Sequence, residues 1–122
     1  MNDSRIGLSR AYDLPGERDG ARFLVDRVWP RGVTKDALRL ESWPRDVAPS
    51  AALRRWFGHD PTRWDEFVKR YRAELDANAA AWQPLADAAK HGHVTLVYGA
   101  RDREHNQAVA LREYLVAKLG HP

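Results

Sequence analysis

The residues best able to do chemistry lie in one short run, Asp26-Arg27-Val28-Trp29-Pro30-Arg31-Gly32, directly after the apolar stretch Phe23-Leu24-Val25. An acid, two arginines and a tryptophan arrive where a buried strand must stop, and Pro30 and Gly32 stop it. A carboxylate can accept from a ligand hydroxyl or act as a base. Guanidinium groups grip phosphates and carboxylates in bidentate fashion. The run therefore predicts an anion site in which Arg27 and Arg31 clamp the anion, Trp29 flanks it and Asp26 is the candidate catalytic base. A structural reading stands beside this one. An acid in an apolar strand is costly unless paired, and Arg27, Arg22 or Arg101 could pair with Asp26.

A second set of candidates follows the apolar run Val94-Thr95-Leu96-Val97-Tyr98. Tyr98, Arg101, Asp102, Arg103, His105, Asn106 and Gln107 come where a strand gives way to a helix, a position that favours anions in α/β domains. If the strands over 21–28 and 94–98 are parallel neighbours, the two sets converge, and Tyr98, Arg101 and Asn106 line the wall opposite Asp26. The alternative is that these residues solvate a loop and cap a helix. Trp29 and Trp43 could stack a base or hold an arginine by cation–π contact, or simply close the edges of a small core.

The remaining signals exclude more than they suggest. His91 and His93 flank Gly92 without the further ligands that zinc needs, so no metal site is predicted. His59 falls at a helix junction and His121 in the tail. There is no Gly-x-Gly-x-x-Gly, Walker loop, Gly-x-Ser-x-Gly or His-Glu-x-x-His, and no cofactor is expected. Cysteine is absent, which excludes disulfides, thiolate metal sites and a cysteine nucleophile and is compatible with the cytoplasm.

The positioning elements can be read from periodicity and turn residues. Residues 5–12 and 21–28 read as strands, with the polar stretch Asp13–Gly20 as a loop between them. Thr34 can cap a short helix over 35–39. Leu40 to Val47 is ambiguous, because Pro44 argues against a central strand. Ser50 can cap a helix to Phe57, ended by Gly58. Asp60-Pro61 starts another, with Trp64, Phe67, Val68, Tyr71 and Leu75 on its buried face. A helix over about 80–90 should be interrupted early by Pro84. Residues 94–98 form the clearest strand, and a last helix runs from about Asn106 to Leu119. This order predicts a small single-domain α/β fold, a Rossmann-like three-layer sandwich with a mostly parallel sheet and an ordered core over about 5–119.

Composition sets the bounds. The chain has 122 residues, 43% hydrophobic and 30% charged, in the range of ordinary globular proteins. No apolar run approaches the roughly 20 residues of a membrane span, and residues 1–5 lack the pattern of a signal peptide. A cytoplasmic location with no membrane partner is expected. Net charge is +3, and all but four of the 20 basic residues are arginine. With 17 acids interspersed, this balance permits nucleic-acid binding without arguing strongly for it.

The Asp-Arg-x-Trp-Pro-Arg-Gly run, with Lys35, Trp43, Ala48-Pro49-Ser50, Leu53-Arg54, Trp56-Phe57, Glu74-Leu75, Thr95-Leu96-Val97-Tyr98 and Asn106, resembles the domain of unknown function 488 family, in its short YeaO-like branch. The resemblance covers about residues 5–119. It implies a compact α/β fold and names no reaction. Some longer relatives carry a Cys-His-Arg-like segment after the last strand. This chain has His105-Asn106-Gln107 near that place and no cysteine, so a thiol mechanism does not carry over. Nor does a transcription-factor label, since helix 61–78 mixes acidic and basic residues and offers no basic recognition helix.

The leading expectation is a domain that binds a phosphorylated or nucleotide-like small molecule at strand ends, with hydrolysis or group transfer as the reaction class if it is an enzyme. The alternatives are a non-catalytic nucleic-acid-binding module, which would add Arg54 and Arg55, and a protein-interaction domain. Oligomeric state is not legible.

Overall fold

A computed structural model describes residues 5–120, so His121 lies outside it. Three strands, β1 (Ile6–Arg10), β2 (Ala21–Leu24) and β3 (Val94–Tyr98), form one parallel sheet in the order β1-β3-β2. Ile6 and Ala21 both stand opposite Val94, and Arg10 stands opposite Tyr98. The three carboxyl ends therefore open on the same side of the molecule. The expected adjacency of 21–28 and 94–98 holds. The regular part of β2 ends at Leu24, although one further rung, Val25 N–H to the Val97 carbonyl at 3.0 Å, extends its pairing.

The helices are α1 (Lys35–Leu38), α2 (Ala51–Phe57), α3 (Trp64–Asp76), α4 (Ala79–His91) and α5 (Gln107–Leu119), with 3₁₀ turns at Arg45–Val47 and Pro61–Arg63. Their starts follow the expected caps. Thr34, Ser50 and Asp60 accept from Ala37, Leu53 and Thr62 N–H groups, and Asn106 accepts from Val109 N–H. One expectation fails: α4 is continuous through Pro84. The proline lies within the first turns on the exposed side, so its cost is one missing N–H rather than a break.

The sheet is covered unequally. Phe23, Val25, Val94, Leu96 and Tyr98 face the main core, packed by Leu53, Phe57, Phe67, Tyr71, Leu85, Leu111 and Leu115 from α2 to α5. Leu24 and Val97 face the other way, with Ala11 and Leu38, beneath Trp29, Val33, Leu40 and Trp43. This thin third layer is mostly loop. Trp29 donates to the Val33 carbonyl and Trp43 to the Asp26 carbonyl, each at 2.7 Å, and the rings meet edge-on at 5.4 Å. The tryptophans thus close the edge of the core. The ambiguous stretch after Leu40 lies along the free edge of β2: Glu41 N–H donates to the Arg22 carbonyl at 2.7 Å, and Phe23 bridges to Ser42 in parallel.

Gly20 and Gly32 both have positive φ, 64° and 78°, but differ in surroundings. A Cβ on Gly20 would lie 2.1 Å from the His93 carbonyl oxygen, while one on Gly32 would meet nothing within 4 Å. Gly32→Ala should therefore cost only the backbone strain, about 1–2 kcal/mol. Gly20→Ala adds a backbone clash and should cost about 3 kcal/mol or more. Urea unfolding of the two variants checks the difference, and equal losses would contradict it.

Candidate functional site

The carboxyl ends of the strands surround a cleft of ≈ 320 Å³. Its centre is Asp26. In register, the rung after Val25 N–H to Val97 would run from Gly99 N–H to the Val25 carbonyl. The Gly99 N–H instead donates to Asp26 Oδ2 at 2.9 Å, so a side chain takes the place of the ladder where the strands part. Gly99 must be small here, because a Cβ would lie 2.9 Å from that same oxygen. The other oxygen, Oδ1, accepts from Gln107 Nε2, in the first turn of α5. Arg10 ties down the loop beyond by donating from Nε to the Ala100 carbonyl at 2.8 Å.

The opposite wall comes from α2. Ser50 caps that helix, and Glu74 on α3 accepts from both Ser50 N–H (2.8 Å) and Ser50 Oγ (2.6 Å), which fixes α2 against α3. One turn on, Arg54 reaches the cleft with its Nε on the Pro49 carbonyl at 3.3 Å. The helix ends at Gly58 with φ 54°, and His59 follows with φ 58°. These two left-handed residues turn the chain back so that His59 joins the cleft wall. Among the described residues no carboxylate comes within ion-pair distance of Arg54.

Burial pushes the Asp26 carboxyl up to about 6, against the lowering effects of the Gly99 N–H, the Gln107 amide and the charges of Arg54 and His59. None of the three arginines considered as partners pairs with it. Arg22 is buried on the opposite face, bonded to Asp19 and to the Leu38 carbonyl. Arg27 lines the cleft, but its guanidinium turns to the Ala48 carbonyl at 3.2 Å and lies 3.8 Å from Asp46. Arg101 is exposed and does not line the cleft.

The structure thus brings Asp26, Arg27 and Trp29 to one cleft, and does not bring Arg31, Tyr98, Arg101 or Asn106 to its lining. Arg31 is exposed, and its carbonyl accepts from Tyr12 at 2.9 Å. Tyr98 is 3% exposed and points with Leu96 into the helical core. Asn106 is engaged at both ends of its amide, as cap of α5 and as donor to the Asp102 carbonyl at 2.9 Å. Gln107, Arg54 and His59 take the places at the cleft that those residues were expected to fill. The rim is apolar: Tyr12 is 49% and Val28 68% exposed. No three His, Cys, Asp or Glu side chains cluster among the described residues, and no helix is long and apolar enough to cross a membrane.

Comparisons with known proteins agree on one relationship. A family model, DUF488-N3i, described as the inactive DUF488-N3 subclade, matches residues 5–121. The chain is 39% identical over 115 residues to a Mycobacterium tuberculosis (strain H37Rv) protein named "Uncharacterized protein Rv3073c", covering 94% of this chain and 97% of the relative. It is 38% identical over 110 residues to the Escherichia coli (strain K12) "Uncharacterized protein YeaO", covering 90% and 96%. No solved structure gives a significant match.

A raised carboxyl makes a prediction about stability. Folding lifts Asp26 from the ordinary value near 3.8 to about 6, so between those pH values the native state holds more protons than the unfolded chain. This group's contribution is present in full below pH about 4 and is lost as pH rises through 6, a loss of about 2–3 kcal/mol. Asp26→Asn should therefore stabilise the protein at pH 7.5 relative to the parent and lose that advantage at pH 4. The Gln107 amide can turn over to face the new side chain. Urea unfolding at both pH values decides, and a loss of stability at pH 7.5 would reject the account.

Proposed function

The chain belongs to the DUF488 family, and from that premise we propose that it binds a small phosphorylated or nucleotide-like anion in the Asp26 cleft without transforming it. The charge layout of the cleft carries this reading. Arg54, unpaired with any described carboxylate, Arg27 and His59 stand on the walls, and Asp26 is the one acid lining it. The first turn of α5 adds the favourable field of a helix start. The apolar rim of Tyr12, Val28 and Trp29 suits a base or sugar face.

Binding without turnover is supported by what lines the cleft and by the family model's description. No serine, threonine or cysteine is among the lining residues, and the matched subclade is described as inactive. Hydrolysis or group transfer would need a nucleophile or a water activated by Asp26 or His59. The Asp26 carboxyl is already held by two donors.

The test is a thermal-shift titration with adenosine 5′-monophosphate, because a ligand that binds only the native state raises the melting temperature. A saturable rise is expected, lost in Arg54→Ala and kept in Arg31→Ala. Chromatography of the recovered nucleotide should show it unchanged. No shift, or a shift indifferent to Arg54, would reject the anion site, and a converted nucleotide would reject the absence of catalysis.

A further inference from the structure

Beside the Asp26 cleft lies a second of ≈ 370 Å³, between α2 and the start of α5. The two share Pro49, Arg54, His59 and Gln107, so the partition between them carries one arginine and one histidine. The second cleft has its own arginine, Arg55, and no acid at all. Its floor is apolar, formed by Phe57 and Phe67, whose rings stack at 4.4 Å, with Ala51 at the exposed side.

Resting on the anion-binding reading above, we infer that the two clefts form one site for a phosphodiester, with the diester phosphate at the Arg54–His59 partition and one nucleoside-like arm in each cleft. Three observations point this way. First, Arg54 and His59 stand between the two chambers, with Arg27 in one chamber and Arg55 in the other, so the charge is centred on the partition rather than at either far end. A carboxylate or a phosphate monoester carries a single substituent and so puts its charge at the end of a ligand. A diester carries two substituents and puts it in the middle. Second, the Asp26 carboxylate in the first cleft opposes a dianion more than the single charge of a diester. Third, ligand sites span about 300–1,000 Å³, and each cleft alone is at the low end of that range while the pair lies well within it. The arms meet different walls. The first has Asp26 to accept from a sugar hydroxyl, and the second has the carbon edges over Phe57 and Phe67.

Calorimetric titration with adenosine 5′-monophosphate, the dinucleoside monophosphate ApA and a six-nucleotide deoxyadenylate tests the inference. ApA should bind at least about tenfold more tightly than the mononucleotide. Ala51→Trp, at an exposed first helical position, should fill the second cleft. It should reduce ApA to the affinity of the mononucleotide and leave the mononucleotide unchanged. Arg54→Ala should weaken both, and unchanged melting temperatures of the unliganded variants would show that both fold. A hexamer binding much more tightly than ApA, with steep salt dependence, would identify the source of the diester as a nucleic-acid strand. Equal binding would identify a free dinucleotide. Mononucleotide binding as tight as ApA, or equal weakening of both by Ala51→Trp, would overturn the two-armed site while leaving the anion site standing. Failure of both ligands to bind would overturn both readings.

Discussion

Burying a carboxyl group at the point where two parallel strands stop pairing is the constraint around which this end of the molecule is arranged. Asp26 needs donors, and it finds them in the Gly99 N–H and the Gln107 amide. The first fixes where β3 turns away from β2, and the second fixes the start of α5 over the strand ends. The same residue's carbonyl accepts from Trp43, so the thin layer on the other face is anchored to it too. The segments around Trp43, Gly99 and Gln107 thus meet on one residue. The arrangement is not the most stable one available, because a carboxyl held near pH 6 resists ionising where it sits. Among the described residues no ion-pair partner offsets that local cost.

Much of the fold was legible because local chemistry and tertiary packing agree. Ser50, Asp60 and Asn106 are caps by residue type, and each caps in the structure. The spacing of Phe67, Tyr71 and Leu75 marks the face that α3 buries. Val94 to Tyr98, buried throughout, is the central strand, covered on both faces. Pro84 sits at the sixth position of α4, where it removes one backbone bond and crowds the carbonyl four residues back, and the buried face of Trp82, Leu85, Ala86 and Ala89 carries the helix through it.

The site was less legible, for a reason of geometry. Residues around Asp26 were grouped by nearness in sequence, yet the sheet alternates sides and loops turn. Tyr98 follows the period of its strand into the core, and Arg27 swings to the carbonyl of Ala48. Arg54 and His59 come from a separate helix whose approach is set by the Ser50–Glu74 contact, which spans 24 residues and leaves no mark on local pattern. Gly99 was the one available signal: a glycine directly after the strongest strand reports a close approach by something, and that something is the aspartate.

The strand order also bears on how the chain is made. β1 and β2 are not neighbours; among the three strands each pairs only with β3, which begins at Val94. Every rung of the sheet therefore closes a loop of about 70 residues or more and waits for the last quarter of the chain. Until residues 94–98 are made, β1 has no native partner in the sheet, and β2 has only the Glu41–Ser42 segment along one edge. The central strand comes last in the chain, so the sheet cannot close before residues 94–98 are made. The protein is exposed to mispairing throughout that interval.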